Sequence, residues 1–139
     1  MKLNEIMAHN VETVGPDATL QETAEKMKTR NVGVLPVVDG TKVVGIITDR
    51  DVTLRGVASG IDVTKTKVRD FMTRDPAFTY EDQTINEACR LMEKNKIRRL
   101  IVLNRDGKLV GVVSLNDVTV KGKETERSAQ VLTKITEAD

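Results

Sequence analysis

Two tetrads in this chain, Thr48-Asp49-Arg50-Asp51 and Ser114-Leu115-Asn116-Asp117, place a hydroxyl three residues ahead of a carboxylate. Each follows a glycine and two apolar β-formers, Gly45-Ile46-Ile47 and Gly111-Val112-Val113. An ionised carboxylate only accepts hydrogen bonds and so suits the two O–H donors of a sugar diol, while a hydroxyl can donate to a phosphate oxygen. Where a strand turns into a helix, the first N–H groups are unpaired and carry partial positive charge, a seat for an anion. Hydroxyl and carboxylate at this spacing share one face of the first turn. The same pattern is also a helix capping box, in which both side chains serve only their own helix. One such tetrad alone reads as a cap; two at matching places favour a ligand.

Arg98-Arg99 is the next pair able to hold charge, following Ile97 at the start of an apolar run where the earlier counterpart reads Gly33-Val34. Adjacent residues of a strand point to opposite faces, so paired arginines conflict with a buried strand and mark a functional position. Their guanidinium groups match phosphate oxygens well; the competing use is a salt bridge to an acid on a neighbouring helix. Arg50 is a further phosphate ligand, and Asn116 at its counterpart is a neutral donor, so the first site favours more phosphate charge. Gly33 matters through the room it leaves. Asp49 reads as a first-turn charge complementing the helix dipole.

These residues sit in an internal repeat, and a repeat sets the architecture. Lys42 to Val52 reappears as Lys108 to Val118, Leu3-Asn4-Glu5-Ile6-Met7 as Val68-Arg69-Asp70-Phe71-Met72, and Leu35-Pro36-Val37 as Leu100-Ile101-Val102. The register advances by one where Asn104-Arg105-Asp106-Gly107 replaces Asp39-Gly40-Thr41. The reading is motif 1 over 3–58, a polar linker over 59–67, motif 2 over 68–120 and a charged tail over 121–139.

In each motif the pattern predicts a helical turn, a short strand, an amphipathic helix, two strands and a second helix. The short strands fall at Val11–Val14 and Ala77–Thr79. Leu20, Ala24 and Met27 share one helix face, and Ile85, Ala88, Cys89 and Met92 another. Val32–Val38 with Val43–Ile47, and Ile97–Leu103 with Leu109–Val113, are strands joined by glycine-containing hairpin turns. The second helices start near Asp49 and Leu115. The order β-α-β-β-α, twice, defines an α+β fold. The tail carries a sparse apolar stripe of Val131, Leu132 and Ile135, read as either a short docking helix or a frayed terminus.

A length of 139 residues suits two small motifs sharing one core. The net charge of +1 exerts no long-range pull on nucleic acid or acidic membranes. With aromatic content at 2%, the stacking platforms of single-strand binders are missing. No apolar run reaches spanning length and no signal peptide is evident. The lone Cys89 reads as a buried core residue and fits a reducing, cytoplasmic setting. His9 has no clustered partners, so no metal site is expected. Neither a suitably placed general base nor a nucleophile is evident, so no catalytic residue and no enzymatic activity are expected.

With the Gly-apolar-apolar-Thr/Ser-x-x-Asp element in both copies, with Met7 and Met72, and with Asn31-Val32-Gly33-Val34-Leu35-Pro36-Val37-Val38 and its partner, residues 3–120 resemble a tandem pair of CBS (cystathionine β-synthase) motifs. Thr48-Asp49-Arg50-Asp51-Val52 and the short tail resemble small stand-alone bacterial or archaeal CBS-pair proteins. The resemblance implies two motifs related by a pseudo-twofold axis, with two clefts that take AMP, ADP, ATP or S-adenosylmethionine. It implies phosphate contacts from basic residues at Arg98 and Arg99. It also implies base contacts from backbone and apolar walls, carried here to Val32 and Ile97. No cofactor is implied. The implied function is regulatory sensing of adenosine nucleotides and energy state by a homodimer, through changed dimer geometry or an unidentified protein partner. The alternative is a structural or protein-interaction dimer whose clefts stay empty.

Overall fold

A computed structural model of the chain describes residues 1–137. The chain forms two compact units: one joins Met1–Val11 to the chain from Ala77 onward, the other is Glu12–Pro76. Each unit therefore holds one repeat's sheet and helices together with the opening turn of the other repeat.

In the unit Glu12–Pro76, α1 (Leu20–Arg30) starts at Thr19, whose hydroxyl accepts the Glu22 N–H at 3.1 Å. It stops at Asn31, which turns left-handed at φ 54°. Strands β1 (Val34–Asp39), β2 (Lys42–Thr48) and β3 (Thr73–Arg74) form an antiparallel sheet in that order. Leu35, Val37 and Ile47 alternate inward and meet Leu20 and Met27 of α1 in the core. Val68 and Met72, from the second repeat's opening turn, complete that core.

The other unit repeats the plan with β4 (Phe78–Tyr80), α3 (Ile85–Asn95), β5 (Arg99–Leu103) and β6 (Leu109–Ser114). Here β4 pairs parallel with β5, and β6 antiparallel. Its core gathers Ala88, Cys89 and Met92 of α3 with Leu100, Val102 and Val113, and with Leu3, Ile6 and Met7 of the first repeat's opening turn. Cys89 is buried as read, and burial pushes its thiol up from the ordinary range.

The expected strand Val11–Val14 is not formed. Val14 makes one parallel bridge to Val37, with its N–H on the Pro36 carbonyl at 3.0 Å and its own carbonyl accepting from Val38 at 2.9 Å. Gly15-Pro16 then turns the chain away. Strands β1 and β5 begin later than Val32 and Ile97 because those two N–H groups close the preceding helices, on Met27 and Met92 carbonyls at 3.0 Å. The helix expected from Asp49 is a three-residue α-turn, α2 (Asp49–Asp51), that widens into a π-turn over Val52–Gly56. Its counterpart α4 (Leu115–Val120) is a six-residue α-helix.

The crossing of each opening turn over the other repeat's sheet explains the two motif glycines. A Cβ at Gly45 would lie 2.6 Å from Met72 Sδ and 2.9 Å from the Thr73 carbonyl oxygen. At Gly111 it would lie 2.6 Å from the Ala8 carbonyl oxygen and 2.9 Å from Met7 Sδ. Ala8 and Val112 exchange two backbone hydrogen bonds at 3.0 and 3.2 Å, so that backbone cannot retreat without breaking the ladder.

The tail resolves to a helix, α5 (Thr125–Thr136), docked on α3 and α4. Val131 is fully buried and Ile135 packs beside it, while Leu132 is 45% exposed on the next face. Arg127 pairs with Glu93 of α3 and reaches Asn86 Oδ1 at 2.9 Å, and Lys96 Nζ donates to the Lys134 carbonyl at 3.0 Å. The Arg127 guanidinium holds the Glu93 carboxyl below the usual range.

Gly111→Ala is expected to destabilise the fold by about 1–3 kcal/mol, the usual cost of overpacking. Gly15→Ala, where a Cβ meets nothing within 4 Å, should be near neutral. Urea unfolding of the two variants checks this, and equal midpoints would refute the close-approach account. Because the Glu93 carboxyl titrates lower folded than unfolded, its pairing stabilises the fold above the ordinary glutamate range and is lost as pH falls below it. The thermal midpoint of the wild type should exceed that of Glu93→Gln at neutral pH, by a margin that closes on acidification.

Candidate functional site

Thr48 ends β2 and Ser114 ends β6, and each is the N-cap of the turn that follows. The capping box forms in both. The Asp51 N–H donates to Thr48 Oγ1 at 3.2 Å, and the Thr48 N–H donates to Asp51 Oδ2 at 3.0 Å. In the second repeat the same two bonds measure 3.2 and 2.9 Å, and Ser114 Oγ lies 3.1 Å from Asp117 Oδ2. One carboxylate oxygen is thus spent on backbone in each tetrad.

The other oxygen faces a cation one turn on. Asp117 Oδ1 lies 3.4 Å from Lys121 Nζ, and Asp51 Oδ1 lies 4.0 Å from Arg55 Nη1. Lys121 is half exposed, and its ammonium makes no other ion pair among the described residues. Arg55 is more constrained: Nη1 donates to the Phe71 carbonyl at 3.0 Å, and the guanidinium lies 5.7 Å from the centroid of the Phe71 ring. The two carboxylate side chains are about one fifth exposed, and in each Oδ1 is the oxygen with no backbone hydrogen bond among the described residues.

Backbone bonds tie each turn to the start of the neighbouring strand. The Leu115 N–H donates to the Arg98 carbonyl at 2.9 Å, and the Asp49 N–H to the Gly33 carbonyl at 2.9 Å. Arg99 sits directly across from Ser114 in the β5–β6 ladder, as Val34 does from Thr48. Both arginines are exposed, and neither makes an ion pair among the described residues, so the competing salt-bridge reading is not realised there. Arg98, Arg99, Ser114 and Asn116 line one cavity of about 490 Å³, within the range of small-molecule sites. Asp117 is not part of that wall; it lies behind Ser114, whose hydroxyl it contacts.

The remaining sequence-derived residues are placed differently. Arg50 is exposed at the α2 turn, its N–H donating to Asp49 Oδ1 at 2.8 Å. Val32 and Ile97 are partly buried against the core of their own unit. The room at Gly33 is filled by Asp49, whose Oδ2 lies 3.0 Å from where a Cβ would stand. The second repeat exchanges both residues together: Arg98 stands for Gly33 and buried Leu115 for Asp49. With α2 and α4 this short, the helix-dipole seat read from the sequence is a small contribution beside the two arginines.

Sequence reading missed the part of the cavity wall that α5 supplies, Thr125, Ala129 and Leu132. Their four- and three-residue spacing was the available signal, obscured because the stripe was read only for its apolar members. Among the described residues no group of His, Cys, Asp and Glu could hold a metal ion. No described helix is long and apolar enough to cross a membrane.

A three-stranded sheet in each unit, and a capped Ser/Thr-x-x-Asp turn at a strand end in each repeat, define a tandem-repeat α+β fold. The CBS domain family matches residues 3–56 and again 68–121, and the chain belongs to that family. Its relatives include the uncharacterised protein YlbB of Bacillus subtilis, 36% identical over 99% of this chain and 93% of that protein. The CBS domain-containing protein YhcV of the same organism is 36% identical over 96% of this chain and 94% of that one. Among solved structures, CBSX2 in complex with AMP superposes with a TM-score of 0.74 at 27% identity, covering 90% of this chain and 98% of that one; CBSX2 is a CBS-pair protein of Arabidopsis thaliana.

Thr48→Ala and Ser114→Ala should each cost about 1 kcal/mol of stability through the lost cap. Asp117→Asn should cost less than Asp117→Ala, since its amide oxygen still accepts the Ser114 N–H. Denaturant unfolding measures both; equal losses for Asn and Ala would contradict the divided use of the carboxylate.

Proposed function

We propose that this chain is a regulatory module that binds an adenosine ligand, AMP, ADP, ATP or S-adenosylmethionine, at its Ser/Thr-x-x-Asp turns. Occupancy alters how the module associates, with a second copy or with a protein partner, and so reports adenylate state. The observation that carries this reading is the cavity at the second repeat, where two arginines without ion-pair partners among the described residues stand beside Ser114 and Asn116. Unpaired guanidinium groups held at one place are recognition groups for phosphate. The AMP complex of the structurally similar CBSX2 supports the choice of adenosine ligand.

Each group has a role. Arg98 and Arg99 take the phosphate and Asn116 donates beside them. Ser114, whose hydroxyl already donates to Asp117 Oδ2, holds that carboxylate at the edge of the site, and Asp117 Oδ1 accepts from the ribose once Lys121 swings aside. Thr48, Arg50 and Asp51 act likewise in the first repeat, with Val32, Gly33 and Ile97 setting the local walls. Signalling requires that the ligand favour one associated shape over another, because equal affinity for both moves nothing. The role is binding, not catalysis. A second reading, an interaction module with empty sites, draws on the fact that both carboxylates are already satisfied by backbone and by Arg55 or Lys121.

Thermal-shift and calorimetric titration with the four ligands separates the two. At 100 times the dissociation constant, bound ligand should add about 2.7 kcal/mol. Replacing Arg98 and Arg99 together by Gln should weaken binding tenfold or more, about 1.4 kcal/mol per decade. Silence with all four ligands would leave the interaction module as the reading.

A further inference from the structure

The second site has a wall that the first repeat lacks. After its second helical segment the first repeat leaves through Gly60, left-handed at φ 70°, into a polar stretch that returns to the next opening turn. After α4 the second repeat instead runs into α5, and α5 is not loosely placed. Buried Val131, packed Ile135 and the Arg127–Glu93 pair fix one face of it on α3. That docking turns the adjacent face, Thr125, Ala129 and Leu132, into the cavity that holds Arg98, Arg99 and Asn116.

The two sides of this cavity are chemically unlike. One presents two guanidinium groups, an amide and the Ser114 hydroxyl. The other presents the methyl of Ala129 and the isobutyl group of Leu132, which is 45% exposed although its neighbour Val131 is fully buried. A large apolar side chain left open beside a cationic cluster fits an occupant with an anionic end and an apolar face, held at both. Thr125 and Ser128 complete the wall with oxygen atoms, and the Ser128 hydroxyl already donates to the Thr125 carbonyl at 2.9 Å, so it is set as an acceptor.

We infer that α5 is the specificity wall of the second-repeat site: Ala129 and Leu132 bear on the apolar face of an anionic nucleotide whose phosphate lies on Arg98 and Arg99. The inference rests on the nucleotide reading above and assigns the tail a part in it. The two sites then differ in selectivity, the second limited by the space under α5 and the first not. A ligand enlarged on its base is excluded from the second site and still enters the first.

The test uses the full chain carrying Asp51→Asn, so that the second site dominates, titrated with AMP by calorimetry. Ala129→Trp, which fills the cavity, and Leu132→Asp, which sets a carboxylate facing the arginines, are each added to that parent. Both residues are exposed, so the thermal midpoint without ligand should stay that of the parent. The inference expects at least tenfold weaker AMP binding in both variants. If the parent binds AMP and both variants bind it within twofold of the parent, α5 is no part of the site and the nucleotide reading stands without it. If wild type and parent both bind no AMP, ADP, ATP or S-adenosylmethionine, the nucleotide reading itself falls and this inference falls with it.

Discussion

The structure turns on how one carboxylate divides its two oxygens. In each repeat the aspartate three residues beyond the strand end gives Oδ2 to the N-cap N–H and leaves Oδ1 to a cation one turn later. The first bond fixes the turn, and without the turn no backbone bond would hold the neighbouring strand start against it. The Leu115 N–H on the Arg98 carbonyl then sets the paired arginines beside Ser114. On the proposed reading, a capping role and a binding role are not rival uses of the same side chain. They fall to different oxygens of it, and the cap would hold the second oxygen in place before a ligand arrives.

The same economy governs the sheets. Met72 lies over Gly45 and Met7 over Gly111, each opening turn closing the core of the other repeat's unit. A small repeat buries too little surface to stand alone. Exchange of the opening turns gives each sheet a covering layer it could not supply from its own sequence. It also makes the two motif glycines a packing requirement, independent of any ligand.

Much of this was legible in the residues. The repeat, the α+β order, the hairpins and the buried face of α3 followed from spacing and turn chemistry, because local pattern and packing agree there. The strand at Val11–Val14 failed because Gly15-Pro16 ends the ladder after a single bridge. The helix after Asp49 shrank to a short turn and a π-segment, which no periodicity in so short a stretch could announce. The exchange of opening turns was also hidden, since a repeat reveals likeness between segments and not which segments touch. At the site, the tetrads and Arg98-Arg99 were readable as residue types in improbable places. The wall from α5 was not, because its residues are ordinary in type and become a wall only through the docking of Val131.

The central proposal is that Asp117 keeps its cap while its other oxygen exchanges Lys121 for the ligand. Nuclear magnetic resonance on the labelled protein reads both oxygens at once, through the Asp117 carboxyl carbon, the Ser114 amide and the side-chain N–H groups of Arg98 and Arg99 during titration with AMP. The account predicts that the carboxyl carbon and both guanidinium groups shift together to one saturation curve, while the Ser114 amide stays hydrogen-bonded throughout. Saturable AMP binding that leaves Asp117 and both arginines unmoved, or that releases the Ser114 amide, would contradict it.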